Sequence, residues 1–286
     1  MMESVMNERR RLHAVTRRAA LGLSAGGVAV AAIAGVACAD PSFASAQERA
    51  DLDSVFADNG VAGTFVLYDV AADHVTVVNA RRAKTRLVPA STFKIPNSII
   101  ALETGAVKDE NEIIPYGGKP QPFKQWEKDM SMREAIALSA VPIYQELARR
   151  IGLDRYHQWL PRLDFGNGET GAAVDRFWLD GPLEISAMEE ARFAARLAQG
   201  TLDASARSQQ IVRDIIRLES RDGRVLYGKT GWSASTNPNI GWWTGWVEHG
   251  GNITAFSLNI DMPAGASDVP KRVAIGKTLL GKLRIL

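Results

Sequence analysis

Pro89-Ala90-Ser91-Thr92-Phe93-Lys94-Ile95-Pro96-Asn97 decides the reading of this chain. It continues through Ser98-Ile99-Ile100-Ala101-Leu102, mostly apolar, and the pattern predicts a helix from about Ser91 to Leu102. Pro96 falls early enough to be tolerated, and Gly105 supplies a stop. Residues three apart are neighbours on a helix, so the Ser91 hydroxyl and the Lys94 amine share one face with Phe93 wedged between them. At a helix start, free N–H groups and the positive end of the dipole favour negative charge growing on an attacked oxygen. A hydroxyl nucleophile beside an amine, placed there, is the arrangement of an acyl-transfer centre.

Alone, Ser-x-x-Lys carries little weight, since roughly one such match arises by chance in a chain of this length. The company it keeps gives it meaning. Ser139-Ala140-Val141, Phe165-Gly166-Asn167 and Lys229-Thr230-Gly231 follow in that order at wide spacing. Penicillin-recognising serine enzymes combine Ser-x-x-Lys, a second polar triplet and Lys-Thr-Gly in the same order. With Ser139-Ala-Val-Pro142, Phe177-Trp178-Leu179 and Tyr227-Gly-Lys-Thr-Gly-Trp232 added, the chain from about residue 50 onward resembles the class D β-lactamases, the oxacillinase family. Class A relatives carry Ser-Asp-Asn at the second triplet and add a glutamate base. Ser139-Ala140-Val141 therefore points to a different base.

The first 46 residues read differently from the rest. Arg9, Arg10, Arg11, Arg17 and Arg18 precede an uncharged Ala- and Gly-rich stretch from Ala19 to Ala39, and Ala44-Ser45-Ala46 offers a cleavage site before Gln47. This is the pattern of an export signal, which leaves residues 47–286 as one catalytic domain in the periplasm or outside the cell. Thr16-Arg17-Arg18-Ala19-Ala20-Leu21 matches a twin-arginine signal in part. Cys38, the only cysteine, lies inside the leader, and Gly35 three positions before it is a poor residue for lipoprotein processing. A chain starting at Gln47 has no cysteine and needs no disulfide in an oxidising compartment. Five of the 34 basic and three of the 32 acidic residues fall in the leader, so the remainder is balanced in charge. That balance argues against nucleic acid or an anionic membrane as partner. Monomer and homodimer both remain open.

Gly63 to Asp69 and His74 to Asn79 read as a strand hairpin leading into the nucleophile helix. The middle is mainly helical: Ser131-x-x-Glu134 and Ser186-x-x-Glu189 are capping boxes, Tyr144 to Ile151 ends at Gly152, and Ile211 to Glu219 looks helical. Strands return at 225–232, 241–247 and 253–260, with Glu248 to Asn252 as a turn, and Lys271 to Leu283 closes the chain as a helix. With 46% hydrophobic content the chain can bury a substantial core. The expected fold is α/β of the α+β kind: an antiparallel sheet built from both chain ends, flanked by helices, with a helical lobe at one edge and the site at the seam. The resemblance implies the serine β-lactamase and penicillin-binding transpeptidase-like fold.

Two other patterns lead elsewhere. Gly223 to Thr230 satisfies the phosphate-loop pattern G-x-x-x-x-G-K-[ST], but a phosphate loop follows a buried strand and opens a helix, and Gly231-Trp-Ser-Ala-Ser-Thr-Asn-Pro238 cannot be one. His13, His74, His157 and His249 show no metal-ligand spacing, so no metal is expected.

A serine hydroxyl needs a base beside it. Walled in by Phe93, Ile95, Val141 and Trp178, Lys94 would lose solvation and much of its proton affinity. A neutral amine could accept the Ser91 proton itself, or react with carbon dioxide to give a carbamate. The resemblance implies the second: an N-carboxylated Lys94 as general base, dependent on bicarbonate and no other cofactor, held by the indole N–H of Trp178 and shielded by Val141. It also implies a proton relay at Ser139 and substrate-carboxylate binding by Lys229, Thr230, Gly231 and Arg272. Backbone N–H groups of Ser91 and Trp232 would form the oxyanion hole. Phe165 stands where many members have tyrosine, which implies weaker inhibition by chloride; Asn167 is expected to shape its loop. The implied activity is hydrolysis of a small-molecule β-lactam, conferring antibiotic resistance, with no stable membrane insertion once the signal is removed. A penicillin-sensing receptor domain that stays acylated is the alternative, but such sensors follow several membrane spans, and here one cleavable signal precedes the domain. A cell-wall transpeptidase would lack the apolar Ser-x-Val and Trp178 pocket.

Overall fold

β-Branched and aromatic runs at the two ends of the chain meet in a single sheet. In the computed structural model, which describes Phe43 and residues 45–286, strand β1 is Gln47–Glu48, β2 Gly63–Asp69 and β3 His74–Val78. Strands β4 (Ile113–Ile114) and β5 (Met130–Ser131) form a separate two-stranded piece. β6 (Arg217–Arg221), β7 (Arg224–Ser233), β8 (Asn239–His249) and β9 (Asn252–Met262) complete the main sheet in the order β1-β3-β2-β9-β8-β7-β6. Every pairing is antiparallel except β1 with β3, which is parallel and had no counterpart in the sequence reading.

The helices are α1 (Ser54–Ala57), α2 (Ala80–Ala83), α3 (Lys94–Glu103), α4 (Met132–Ala137), α5 (Val141–Ile151), α6 (Leu153–Leu163), α7 (Ala187–Gln199), α8 (Ala206–Ile215) and α9 (Lys271–Lys282). Two expectations shift. The nucleophile helix does not begin at Ser91: Ala90–Phe93 is a 3-10 turn, and α3 starts at Lys94. Pro96 is the reason, because a start at Lys94 puts it in the first turn, where its missing N–H has no partner to lose. The Ile211–Glu219 run also breaks, ending as helix at Ile215 and turning into the edge strand β6.

Alternation along β8 divides three tryptophans between the two faces of the sheet. Trp243 packs with Phe65, Phe256 and Leu279 beneath α9, whereas Trp242 and Trp246 belong to the clusters on the opposite face. Gly276 makes room on α9, since a Cβ there would come within 2.2 Å of the Trp243 ring. The helical core gathers Phe93, Tyr144, Tyr156, Phe177 and Trp178, all fully buried. Each contributes about 1.5–3 kcal/mol of burial, so this cluster anchors the nucleophile turn to the lobe. Ser186 caps α7 with the full reciprocal box, whereas Ser131 accepts from the Glu134 N–H of α4 and shows only that half of it. Among the described residues no helix is long and apolar enough to cross a membrane. Residues 1–42, Cys38 included, and Ala44 lie outside the described residues, and with them most of the expected export signal.

Candidate active site

The Ser91 side chain comes from the 3-10 turn and the Lys94 side chain from the first position of α3. Their spacing of three brings Lys94 Nζ to 2.8 Å from Ser91 Oγ. Lys94 is completely buried, with its Nζ 5.1 Å from the centroid of the Tyr144 ring. Burial, helped by the nearby charge of Lys229, drives its pKa well below the ordinary lysine value. The shift favours the uncharged amine, the form that can accept a proton from Ser91.

The approach to α5 places Ser139, whose backbone is left-handed at φ 54°. Its hydroxyl accepts a hydrogen bond from Lys229 Nζ at 3.0 Å, and the same amine donates to the Thr230 carbonyl at 2.9 Å. Burial first, and then Arg272, lower the Lys229 pKa to about 7. Arg272, in the first turn of α9, donates from Nη1 to the Gly231 carbonyl at 2.6 Å and from Nε to the Val269 carbonyl at 2.8 Å. Burial lowers its pKa to about 10, leaving it cationic.

Strand β7 runs hard against the nucleophile turn. A Cβ on Gly231 would lie 2.8 Å from the Pro89 carbonyl oxygen and 3.3 Å from Thr92 Cγ2. Glycine lets the two backbones approach. A cleft of about 370 Å³ opens over this junction, with Ser91, Ser139, Val141, Thr230, Trp232 and Arg272 in its walls. Phe123, Gln125, Trp126 and Leu179 line it as well. The Gly223–Thr230 match to the phosphate-loop pattern lies on the β6–β7 hairpin and opens no helix, so it carries no phosphate chemistry. Among the described residues no cluster of side chains could hold a metal ion.

Trp178 is fully buried and stacked on Phe93 with ring centroids 5.3 Å apart. Its indole Nε1 is buried with no hydrogen-bond acceptor. A buried N–H without a partner is costly, and here it belongs to the residue that the resemblance assigns to a lysine carbamate. Phe165 packs edge-on against Phe93 and Phe193 at 5.8 and 5.1 Å, with no phenol to offer. Asn167 shapes its loop as expected, accepting from the Glu184 and Glu169 N–H groups and donating to the Pro182 carbonyl.

Several neighbours escaped the sequence reading. Tyr144 OH lies 2.8 Å from Ser98 Oγ, which donates to the Lys94 carbonyl. Its position three residues after Val141 on a helix was the available signal. Tyr156 OH donates to Asn97 Oδ1 at 2.7 Å, and Phe123 meets Trp126 edge-on at 4.7 Å at the mouth of the cleft. Nothing local marked Tyr156 or Phe123; tertiary packing brings them in.

A buried serine–lysine pair at a helix start, a second serine bonded to a lysine on a sheet strand, and an arginine behind them match the motif order of the penicillin-recognising serine enzymes. Residues 52–281 match the penicillin binding protein transpeptidase domain. The chain is 39% identical over 245 residues to β-lactamase OXA-5 of Pseudomonas aeruginosa, covering 85% of this chain and 91% of that one. It is 38% identical over 240 residues to β-lactamase OXA-48 of Klebsiella pneumoniae, covering 84% and 90%. The crystal structure of FUS-1 (OXA-85), a class D β-lactamase from Fusobacterium nucleatum subsp. polymorphum, superposes with a TM-score of 0.81 at 39% identity, covering 84% of this chain and all (100%) of that one. The chain belongs to the class D β-lactamases.

Proposed function

We propose that this class D β-lactamase opens the β-lactam ring of penicillins and related antibiotics through an acyl-enzyme on Ser91, conferring resistance. The observation that carries the reading is the 2.8 Å contact between Ser91 Oγ and a wholly buried Lys94 Nζ. Lys94 supplies the base that takes the serine proton as Oγ attacks the lactam carbonyl. Ser91 and Trp232 backbone N–H groups receive the oxyanion. Ser139, bonded to Lys229, passes a proton to the departing lactam nitrogen, and that nitrogen stays tethered within the product. The substrate carboxylate is held by Lys229, Thr230, Gly231 and Arg272. Arg272 in the cleft wall, and Lys229 bonded to Ser139 of that wall, support the assignment.

The unpartnered Trp178 N–H and the uncharged Lys94 suit N-carboxylation of that lysine, with Val141 in the cleft wall as its apolar shield. When present, the carbamate supplies a general base for both acylation and attack of water on the ester. Bicarbonate is the only small molecule this requires. Residues 1–46 act as an export signal and the mature enzyme works in the periplasm or outside the cell.

Turnover of a chromogenic cephalosporin by residues 47–286, compared with Ser91→Ala, tests the assignment. Catalytic turnover in the parent and none in the variant is expected. A single stoichiometric burst with a stable adduct on Ser91 would make the protein a penicillin sensor and refute hydrolysis.

A further inference from the structure

Helix α7 sends one carboxyl group into the core behind the nucleophile. Glu190 is completely buried, and its Oε1 lies 2.5 Å from Thr92 Oγ1, on the residue next to Ser91. The same hydroxyl lies 2.9 Å from the Pro89 carbonyl oxygen. A hydroxyl has one proton to give, and a carbonyl can only accept. If Thr92 donates to Pro89, the proton between Thr92 and Glu190 must come from the carboxyl group. Glu190 Oε2 has no hydrogen-bond partner, which a neutral carboxyl tolerates far better than a carboxylate.

We propose that Glu190 is a positioning residue: held as the neutral acid, it clasps Thr92 and so fixes the turn that presents Ser91. The inference rests on the proposed role of Ser91 as nucleophile. The turn needs such a clasp, because Ala90 is left-handed at φ 51°, a conformation that persists only where its surroundings impose it. Thr92 is held on its other side by β7, with its Cγ2 against Gly231. The clasp thus ties α7, the nucleophile turn and the Lys-Thr-Gly strand together.

Burial favours the neutral form of Glu190, against two hydroxyls that face it and favour the charged one. Thr92 approaches from the nucleophile turn, and the Thr244 hydroxyl from β8, itself bonded to Ser257 of β9 at 2.8 Å. The charge acting on it is Glu189 of its own helix, which is paired with Arg86 and pushes the Glu190 pKa further up. Burial dominates over both hydroxyls, and with Glu189 raises the value to about 7.

Glu190→Gln keeps a donor for Thr92 and removes the ionisation; Glu190→Leu removes the clasp. In Glu190→Gln, kcat is expected to stay within about threefold of the parent near pH 6, whereas Glu190→Leu loses at least about tenfold in kcat with KM little altered. The melting temperature of the parent should fall relative to Glu190→Gln as pH rises from about 5 to about 8, because the folded state resists losing this proton. If Glu190→Leu does not fold, Thr92→Val asks the same question and should also lower kcat. Parallel melting profiles for the parent and Glu190→Gln, or a parent-like kcat in Glu190→Leu or Thr92→Val, would overturn the proposal. The melting comparison needs no activity, so it separates failure of the clasp from failure of the hydrolase reading.

Discussion

Lys94 and Lys229 are amines kept where water cannot reach them, and both have their proton affinity lowered by burial. For the first, the shift favours the uncharged form that the proposed base role requires. Lys94→Ala is therefore expected to lower kcat/KM by about 10²–10⁴, the usual share of a general base, as measured by initial rates at several substrate concentrations. The second retains its charge below about 7, where it can meet a carboxylate. KM is expected to rise as pH climbs through that value, with Arg272, lowered only to about 10, setting the floor on residual binding. The stability consequence has the opposite sense. A lysine whose pKa falls from 10.5 to about 7 on folding contributes no penalty above the unfolded value, a growing one as pH drops from there toward about 7, and a constant one below. Lys229→Met should melt higher than the parent at pH 6, with the gap closing in alkali and activity lost throughout.

Contacts between elements decide how well those side chains are aimed. Gly231 is the point of closest approach between β7 and the nucleophile turn, and Gly231→Ala would force a Cβ to within 2.8 Å of a backbone oxygen. A shift of a few tenths of an ångström there should lower kcat by about tenfold or more with little unfolding, read from kinetics alongside a melting curve. Ser186→Ala removes the cap of α7 and should cost about 1 kcal/mol in denaturant unfolding. At this scale the sequence was legible where chemistry and pattern coincide. Ser91-x-x-Lys94 and Lys229-Thr230-Gly231 stood out together by their order, and the runs at 241–247 and 253–260 were read as the strands β8 and β9. The 3-10 turn was hidden because apolar periodicity runs through Ser91 without a break, and only the position of Pro96 separates turn from helix. β6 was hidden because Arg217-Leu-Glu-Ser-Arg221 is fully exposed and becomes a strand only by pairing with β7. Glu189-Glu190 reads as a solvated pair on a helix, yet one of the two is entirely buried.

Across the molecule, a sheet contributed by both chain ends meets a helical lobe contributed by the middle, and the cleft lies where they join. Long-range pairing of β2 with β9 holds the ends together without any covalent link. Cys38 is the only cysteine, so residues 47–286 contain none and should melt at the same temperature with and without a reducing agent. A drop under reduction would contradict the expected absence of an intermolecular or hidden disulfide. The central claim, that a buried Lys94 activates Ser91 for repeated β-lactam hydrolysis, is tested most directly by the time course of residues 47–286 with and without added bicarbonate. Sustained turnover that rises with bicarbonate and vanishes in Lys94→Ala is the predicted result. Turnover indifferent to bicarbonate and surviving in Lys94→Ala would contradict it.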